Sequence, residues 1–182
     1  NQCLTLNGLQ RGQSAGHAIT QLIGTKMSAW RREALKYLPQ QKELIEKADT
    51  ISFLLSELWW EFKDAYQHAP KDEKIVAGVY DFAAWCWHGS DFRGNNIRLI
   101  TEVFGQFYER LPQDPEMRHD MSRWLCLEEF EVLQVGPFTY FLNPDEHLAM
   151  VKEFRNAKAQ GLFPSPKRCE RLKHLAISTS KF

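Results

Sequence analysis

The hydrophobic positions between residues 50 and 88 repeat with the period of an α-helix in two consecutive stretches. Apolar side chains in the first stretch recur three and four residues apart: Leu54, Leu55, Leu58, Trp59, Phe62, Ala65 and Tyr66. The second stretch has an equivalent set: Ile75, Val76, Val79, Tyr80, Ala83, Cys86 and Trp87. These patterns predict two long amphipathic helices, over 51–68 and 71–88. Each apolar face must be buried, and the simplest arrangement packs the two helices against each other.

Shorter helical patterns precede and follow this pair. Apolar residues at helical spacing predict a third helix over 97–111, ended before Pro112, and further helices over 114–124, 127–133 and 144–158. Residues 138–142 are predicted to be extended or irregular. The alternation of strands and helices that is typical of a parallel sheet is absent. We therefore predict an all-α, single-domain, irregular bundle of about six helices with short non-helical tails.

Charge is distributed unevenly along a chain that is neutral overall. Residues 1–26 carry a net +2 and residues 159–182 a net +4, so neutrality leaves −6 for residues 27–158. We predict an N-terminal appendage over 1–26, a helical domain over 27–158 and a basic C-terminal tail over 159–182. An acidic body with short basic ends is not typical of a nucleic-acid-binding protein. We expect no nucleic-acid partner.

Cysteine spacing and hydropathy indicate the compartment. The four cysteines are scattered without paired spacing, which argues against a disulfide framework. No apolar run approaches the ~18 residues that a membrane span needs, and residues 1–26 lack the layout of a secretory signal. We expect a cytoplasmic protein without a membrane partner.

A His-Asp doublet raises the hypothesis of a metal centre. All-helical phosphohydrolases of the HD type hold metal ions with a histidine, a later His-Asp pair and a final aspartate, and His88, His119, Asp120 and Asp145 occur in that order. The sequence around His119 is polar, however, whereas ligands that point inward usually lie on an apolar helix face. A solvated helix explains the doublet more simply.

A structural zinc site is a second metal hypothesis. Cys86, His88, His119 and Cys126 could supply ligands, but zinc sites usually show two close ligand pairs and this chain has one. Buried cysteines and a histidine at a helix end explain the same residues. No nucleophile, phosphate-binding or dinucleotide motif is present either. We expect no metal and no cofactor.

The aromatic residues are the remaining candidates for function. Trp59 and Trp60 are adjacent and about 100° apart on a helix, so both cannot point into one narrow apolar stripe. A half-buried carboxylate at Asp81 would need a hydrogen-bond donor. The predicted partner or ligand surface comprises Trp59, Trp60, Tyr80, Asp81, Trp85 and Trp87.

Four aromatic segments in a fixed order carry a resemblance. They are Trp30-Arg31-Arg32-Glu33-Ala34-Leu35, Glu57-Leu58-Trp59, Tyr80-Asp81-Phe82-Ala83-Ala84-Trp85-Cys86 and Phe107-Tyr108-Glu109-Arg110-Leu111-Pro112. Over residues 28–142 the chain resembles a family of small bacterial all-helical proteins that carries no assigned activity. The resemblance implies a bacterial, cytoplasmic helical domain that begins near Met27, and it implies no cofactor or catalytic residue.

Three functions remain open at this point. The first is a non-enzymatic helical interaction module, of the antitoxin, immunity or adaptor type, with an unidentified protein partner. The second is the metal-dependent phosphohydrolase. The third is a small-molecule pocket between the two long helices, lined by Trp59, Tyr80 and Trp87. Homodimerisation through an exposed aromatic arc is compatible with all three.

Overall fold

The computed structural model describes residues 27–88 and 97–162, and within them it contains eight α-helices, three short 3₁₀ helices and no strand. The α-helices are α1 (Ala29–Tyr37), α2 (Lys42–Lys47), α3 (Ile51–Gln67), α4 (Glu73–His88), α5 (Ile97–Gln106), α6 (Pro115–Trp124), α7 (Leu127–Leu133) and α8 (Pro144–Ala159). The predicted all-α fold is confirmed. The predicted appendage over 1–26 and most of the basic tail lie outside the described residues. None of the described helices is both long and apolar enough to cross a membrane.

The two long helices lie where the apolar stripes predict them. Thr50 caps α3, because its hydroxyl oxygen accepts a hydrogen bond from the backbone N–H of Phe53 at 3.1 Å. Helix α4 begins two residues later than predicted. The carboxylate of Asp72 accepts from the backbone N–H groups of Lys74 and Ile75, so Asp72 precedes the first turn instead of lying inside it.

Aromatic packing around Phe62 joins α3, α4 and the chain after α5. The Phe62 ring centroid lies 5.0 Å from that of Tyr66, 5.4 Å from that of Tyr80 and 5.1 Å from that of Phe107. The Tyr80 and Phe107 rings meet it edge to face, an arrangement that aromatic quadrupoles favour. These rings form the centre of the core.

The third predicted helix ends earlier than the sequence pattern indicates. Helix α5 ends at Gln106, Phe107 leaves the helical conformation with φ −125°, and a 3₁₀ helix follows over Tyr108–Gln113. Pro112 lies inside this 3₁₀ helix and does not follow an α-helix as predicted. A 3₁₀ turn also brings residues three apart onto one face, so the apolar spacing continues across the change. Another 3₁₀ turn, Pro137–Thr139, includes the first two residues of the stretch 138–142, which is predicted to be extended or irregular.

The last three helices, α6, α7 and α8, pack against one another. The rings of Phe130 in α7 and Phe154 in α8 stack with centroids 3.7 Å apart. Lys158, buried near the end of α8, donates from Nζ to the backbone carbonyl of Leu125 at 2.8 Å and to that of Ser122. These carbonyls lack helical partners at the end of α6, so the lysine both neutralises and anchors that end.

Both described cysteines, Cys86 and Cys126, are buried and neither forms a disulfide within the described segments, as their apolar surroundings predict. Cys86 lies in α4 without solvent exposure, and burial raises the pKa of its thiol. Cys3 and Cys169 lie outside the described residues.

Helix α1 approaches the backbone of α4 closely at Gly78. A Cβ atom at this position would lie 2.6 Å from the carbonyl oxygen of Tyr37 and 2.6 Å from Cδ2 of Leu38. Real Cβ contacts are longer, so only glycine allows this approach. Gly105 in α5 has no atom within 4 Å of the corresponding position.

We expect Gly78→Ala to lower the free energy of unfolding by about 1–3 kcal/mol, because the added methyl group forces α1 away from α4. The control, Gly105→Ala, gains helix propensity without a clash and should raise it by about 0.5–1 kcal/mol. Urea denaturation of both variants measures this. Equal shifts of the same sign would contradict the close approach.

Candidate functional site

A buried carboxylate, that of Asp120, joins three parts of the chain. Its Oδ2 atom accepts hydrogen bonds from the Tyr66 hydroxyl at 3.1 Å, from the Trp124 indole N–H at 3.1 Å and from Nζ of Lys71 at 3.2 Å. Nη1 of Arg123 lies 3.3 Å from the other carboxylate oxygen, Oδ1. The donors come from the end of α3, the segment before α4 and the last turn of α6. We call these five residues the Asp120 cluster.

The cluster keeps Asp120 ionised. Burial by itself would raise the pKa of the Asp120 carboxyl, but the hydrogen bond from Trp124 and the charges of Lys71 and Arg123 outweigh it, and the pKa lies below its ordinary value. The pKa of the Tyr66 hydroxyl is raised, by burial first and then by neighbouring Tyr80 and Asp120, so the hydroxyl keeps its proton and donates. Every partner of this carboxylate is therefore a donor.

Sequence reasoning missed this role of Asp120. The local sequence predicts a solvated helix, whereas Asp120 is buried. The sequence does contain a pattern that indicates burial of Asp120. Apolar residues recur three and four positions apart at Met117, Met121 and Trp124, and Asp120 lies next to that stripe. Met117 and Met121 are buried, and the Trp124 ring stacks on that of Tyr80 at 5.4 Å.

The structure does not group the four residues of the predicted phosphohydrolase site around one point. His119 is largely exposed, and its Nδ1 atom lies 2.6 Å from Oε1 of Glu153. His88 lies with Nε2 3.4 Å from Oε1 of the buried Glu129. Asp145 is exposed in the first turn of α8. Within the two described segments, no three His, Cys, Asp or Glu side chains are grouped so that they could hold a metal ion.

The predicted aromatic surface divides between core and exterior. Trp60 is 58% exposed, whereas Trp59 is 7% exposed. Trp85, Trp87 and Asp81 are half-buried. Tyr80 does not lie on a surface: it is fully buried, so a partner cannot touch it and it does not line a pocket as predicted.

Trp60 belongs to an open groove with a volume of about 560 Å³. We call it the Trp60 groove. Its lining residues come from α3, the 3₁₀ helix over Tyr108–Gln113, the start of α6 and the chain before α8: Trp59, Trp60, Lys63, Arg110, Gln113, Asp114, Pro115 and Phe141. Phe141 is 54% exposed. The volume lies within the ~300–1,000 Å³ of ordinary ligand sites.

Two cations lie against the indoles of this groove. Nζ of Lys63 is 5.4 Å from the Trp60 ring centroid, and Cζ of Arg110 is 5.8 Å from that of Trp59. Arg110 also donates to Oε1 of Gln106 at 2.9 Å. Within the part of the chain that the structure describes, neither cation has a carboxylate within ion-pair distance. The groove thus combines apolar surface with positive charge.

Asp114 is the acidic residue of the groove, and its charge is directed elsewhere. Its Oδ1 atom accepts from the backbone N–H groups of Glu116 at 2.9 Å and Met117 at 3.2 Å, which caps α6. The carboxylate therefore interacts with the positive end of its own helix.

The chain was compared with protein-family models, curated proteins and solved structures, and none of them matches.

We expect Asp120→Asn to lower the free energy of unfolding by about 2 kcal/mol. The substitution removes the negative charge that pairs with Lys71 and Arg123, at a position that is mostly shielded from solvent. The matched control is Asp145→Asn at an exposed position, which should change it by less than about 0.5 kcal/mol. Chemical denaturation at neutral pH measures both. Similar effects for the two variants would contradict the role of the Asp120 cluster.

The lowered pKa of Asp120 predicts a pH dependence. Because its folded-state pKa is below the ~3.9 of an unfolded aspartate, the carboxylate contributes stability that is fully present above that value and is lost as pH falls through the folded pKa. The difference in free energy of unfolding between the wild type and Asp120→Asn should be constant above about pH 5 and shrink below about pH 4. A difference that is independent of pH would contradict ionisation of Asp120.

Proposed function

We propose that the protein is a non-enzymatic interaction module that binds a protein partner in the Trp60 groove. The observation that carries this proposal is the large exposed fraction of Trp60 and Phe141 in one concave site. Apolar surface of this kind is costly to leave in water, at roughly 25 cal/mol per Å². A cluster of it on a folded domain favours a binding role.

The residue types in the groove support a protein partner. Trp, Tyr and Arg are the side chains most enriched where binding energy concentrates in protein interfaces. Trp60 and Arg110 line this groove, and Trp59 adds a buried indole beside them. Trp60 contributes little to the core, so a structural role does not account for its position.

The walls of the groove are held in place before any partner binds. Tyr66 lies two helical turns beyond Trp59 on α3, and its hydrogen bond to Asp120 connects that helix to α6. The start of α6, with Asp114 and Pro115, forms part of the opposite wall. A preformed site spends less free energy on ordering when it binds.

We expect Trp60→Ala to abolish retention of the partner while changing the free energy of unfolding by less than about 0.5 kcal/mol. Truncation of a central tryptophan typically costs at least ~2 kcal/mol of binding, or about thirtyfold in affinity. The matched control is Val132→Ala, an apolar residue on α7 that is 49% exposed and does not line the groove. Immobilised wild type and both variants are incubated with bacterial lysate, and the retained proteins are quantified by mass spectrometry.

The proposal predicts at least one protein that the wild type and Val132→Ala retain and Trp60→Ala does not. Identical retention by all three proteins would contradict it. Unfolding curves of the same preparations show whether a variant that loses binding is still folded.

A further inference from the structure

We infer that the Trp60 groove binds an acidic peptide segment that carries at least one large apolar side chain. This inference rests on the proposed function and specifies the chemistry of the partner. Lys63 and Arg110 supply the positive charge, and Trp60 and Phe141 supply the apolar surface. A segment with carboxylates beside an aliphatic or aromatic residue complements both.

Lys63 and Arg110 are the two cations of the Trp60 groove. Some basic residues of the described segments form ion pairs within the fold, as Lys71 does with Asp120 and Arg155 with Glu131. Lys63 and Arg110 instead lie beside indole rings, with no carboxylate within 4.0 Å in those segments. A partner carboxylate can therefore pair with either cation without breaking an existing ion pair.

The net charge of the domain favours a short acidic peptide over a long polyanion as the ligand of the Trp60 groove. Residues 27–158 carry a net −6, and such a body repels a long polyanion. A nucleic acid brings about one charge per 1.7 Å of duplex, far more than two cations neutralise. A short peptide places a few carboxylates within the ~8–10 Å over which Lys63 and Arg110 act at physiological salt. The same net charge disfavours a second copy of the acidic domain.

The open shape of the site fits a chain segment. Its lining comes from three separate stretches of the chain, and Trp60 and Phe141 remain more than half exposed. An extended or helical segment can lie across such a groove and bury one side chain between the two rings. We expect Trp60 to carry the apolar contact and Arg110 to bind a carboxylate, in a bidentate geometry where the segment allows it.

A displayed library of random peptides tests this inference even though the natural partner is unidentified. Selections are run on the folded wild type, on the double variant Lys63→Glu/Arg110→Glu, on Trp60→Ala and on Val132→Ala. We expect Asp and Glu next to Leu, Phe or Trp to be enriched on the wild type and on Val132→Ala. The double variant should bind the selected peptides about tenfold more weakly at low salt, and this difference should shrink as salt increases. It should select Lys and Arg in place of acids.

The outcomes separate the inference from the proposed function. Peptides that need Trp60 but show no enrichment of acids would overturn the inference and leave the groove as a docking site. Peptides that bind Trp60→Ala as well as the wild type would overturn both.

Two further measurements test whether a nucleic acid or a second copy of the chain binds in the Trp60 groove instead. Fluorescence anisotropy with labelled oligothymidylate tests for a nucleic acid, and sedimentation of the wild type tests for a second copy. Tight binding or self-association that the double variant abolishes would overturn the peptide inference.

Discussion

A carboxylate that has lost most of its water must be surrounded by donors, and the arrangement of α3, α4 and α6 satisfies this requirement at Asp120. The donors come from three places: Tyr66 from the end of α3, Lys71 from the segment before α4, and Arg123 and Trp124 from α6 itself. Hydrogen bonds depend on direction, whereas apolar contacts do not. The Asp120 cluster therefore specifies how these elements meet, and the aromatic core alone would leave more freedom.

The polar cluster and the aromatic core share side chains. The Tyr66 ring packs 5.0 Å from that of Phe62 while its hydroxyl donates to Asp120. Trp124 does the same with its ring on Tyr80 and its N–H on the carboxylate. An amphipathic ring can serve both surroundings because its polar atom lies at one edge. Core and cluster thus stabilise each other, and two of the same helices, α3 and α6, contribute residues to the Trp60 groove.

The sequence predicts the two long helices well because their apolar stripes are long and periodic. It also predicts that Trp59 and Trp60 cannot both be buried. Trp59 continues the stripe from Leu55 to Phe62, so it is the buried member of the pair. The end of α5 escapes prediction, since a 3₁₀ helix conserves the apolar spacing that would otherwise mark the boundary.

The candidate site is harder to predict than the helices. Asp120 meets Tyr66 across 54 residues of chain, and local periodicity contains no information about such a distant donor. The groove depends in the same way on Phe141, which follows a short 3₁₀ turn and lies in no long periodic segment. Only Trp60 and its helix could be placed from the pattern. Lys63 and Arg110 have no carboxylate within ion-pair distance in the described segments, and a single sequence does not display this.

The buried thiol of Cys86 makes local opening of this core measurable by chemical labelling. Thiolates are the reactive form of cysteine, and this side chain has neither solvent access nor a normal acidity. An alkylating reagent can reach it only during moments when α4 separates from its neighbours. The rate at which the Cys86 sulfur is alkylated therefore reports local opening of the core around it. Cys86 is therefore a built-in probe of local unfolding in the core around α4.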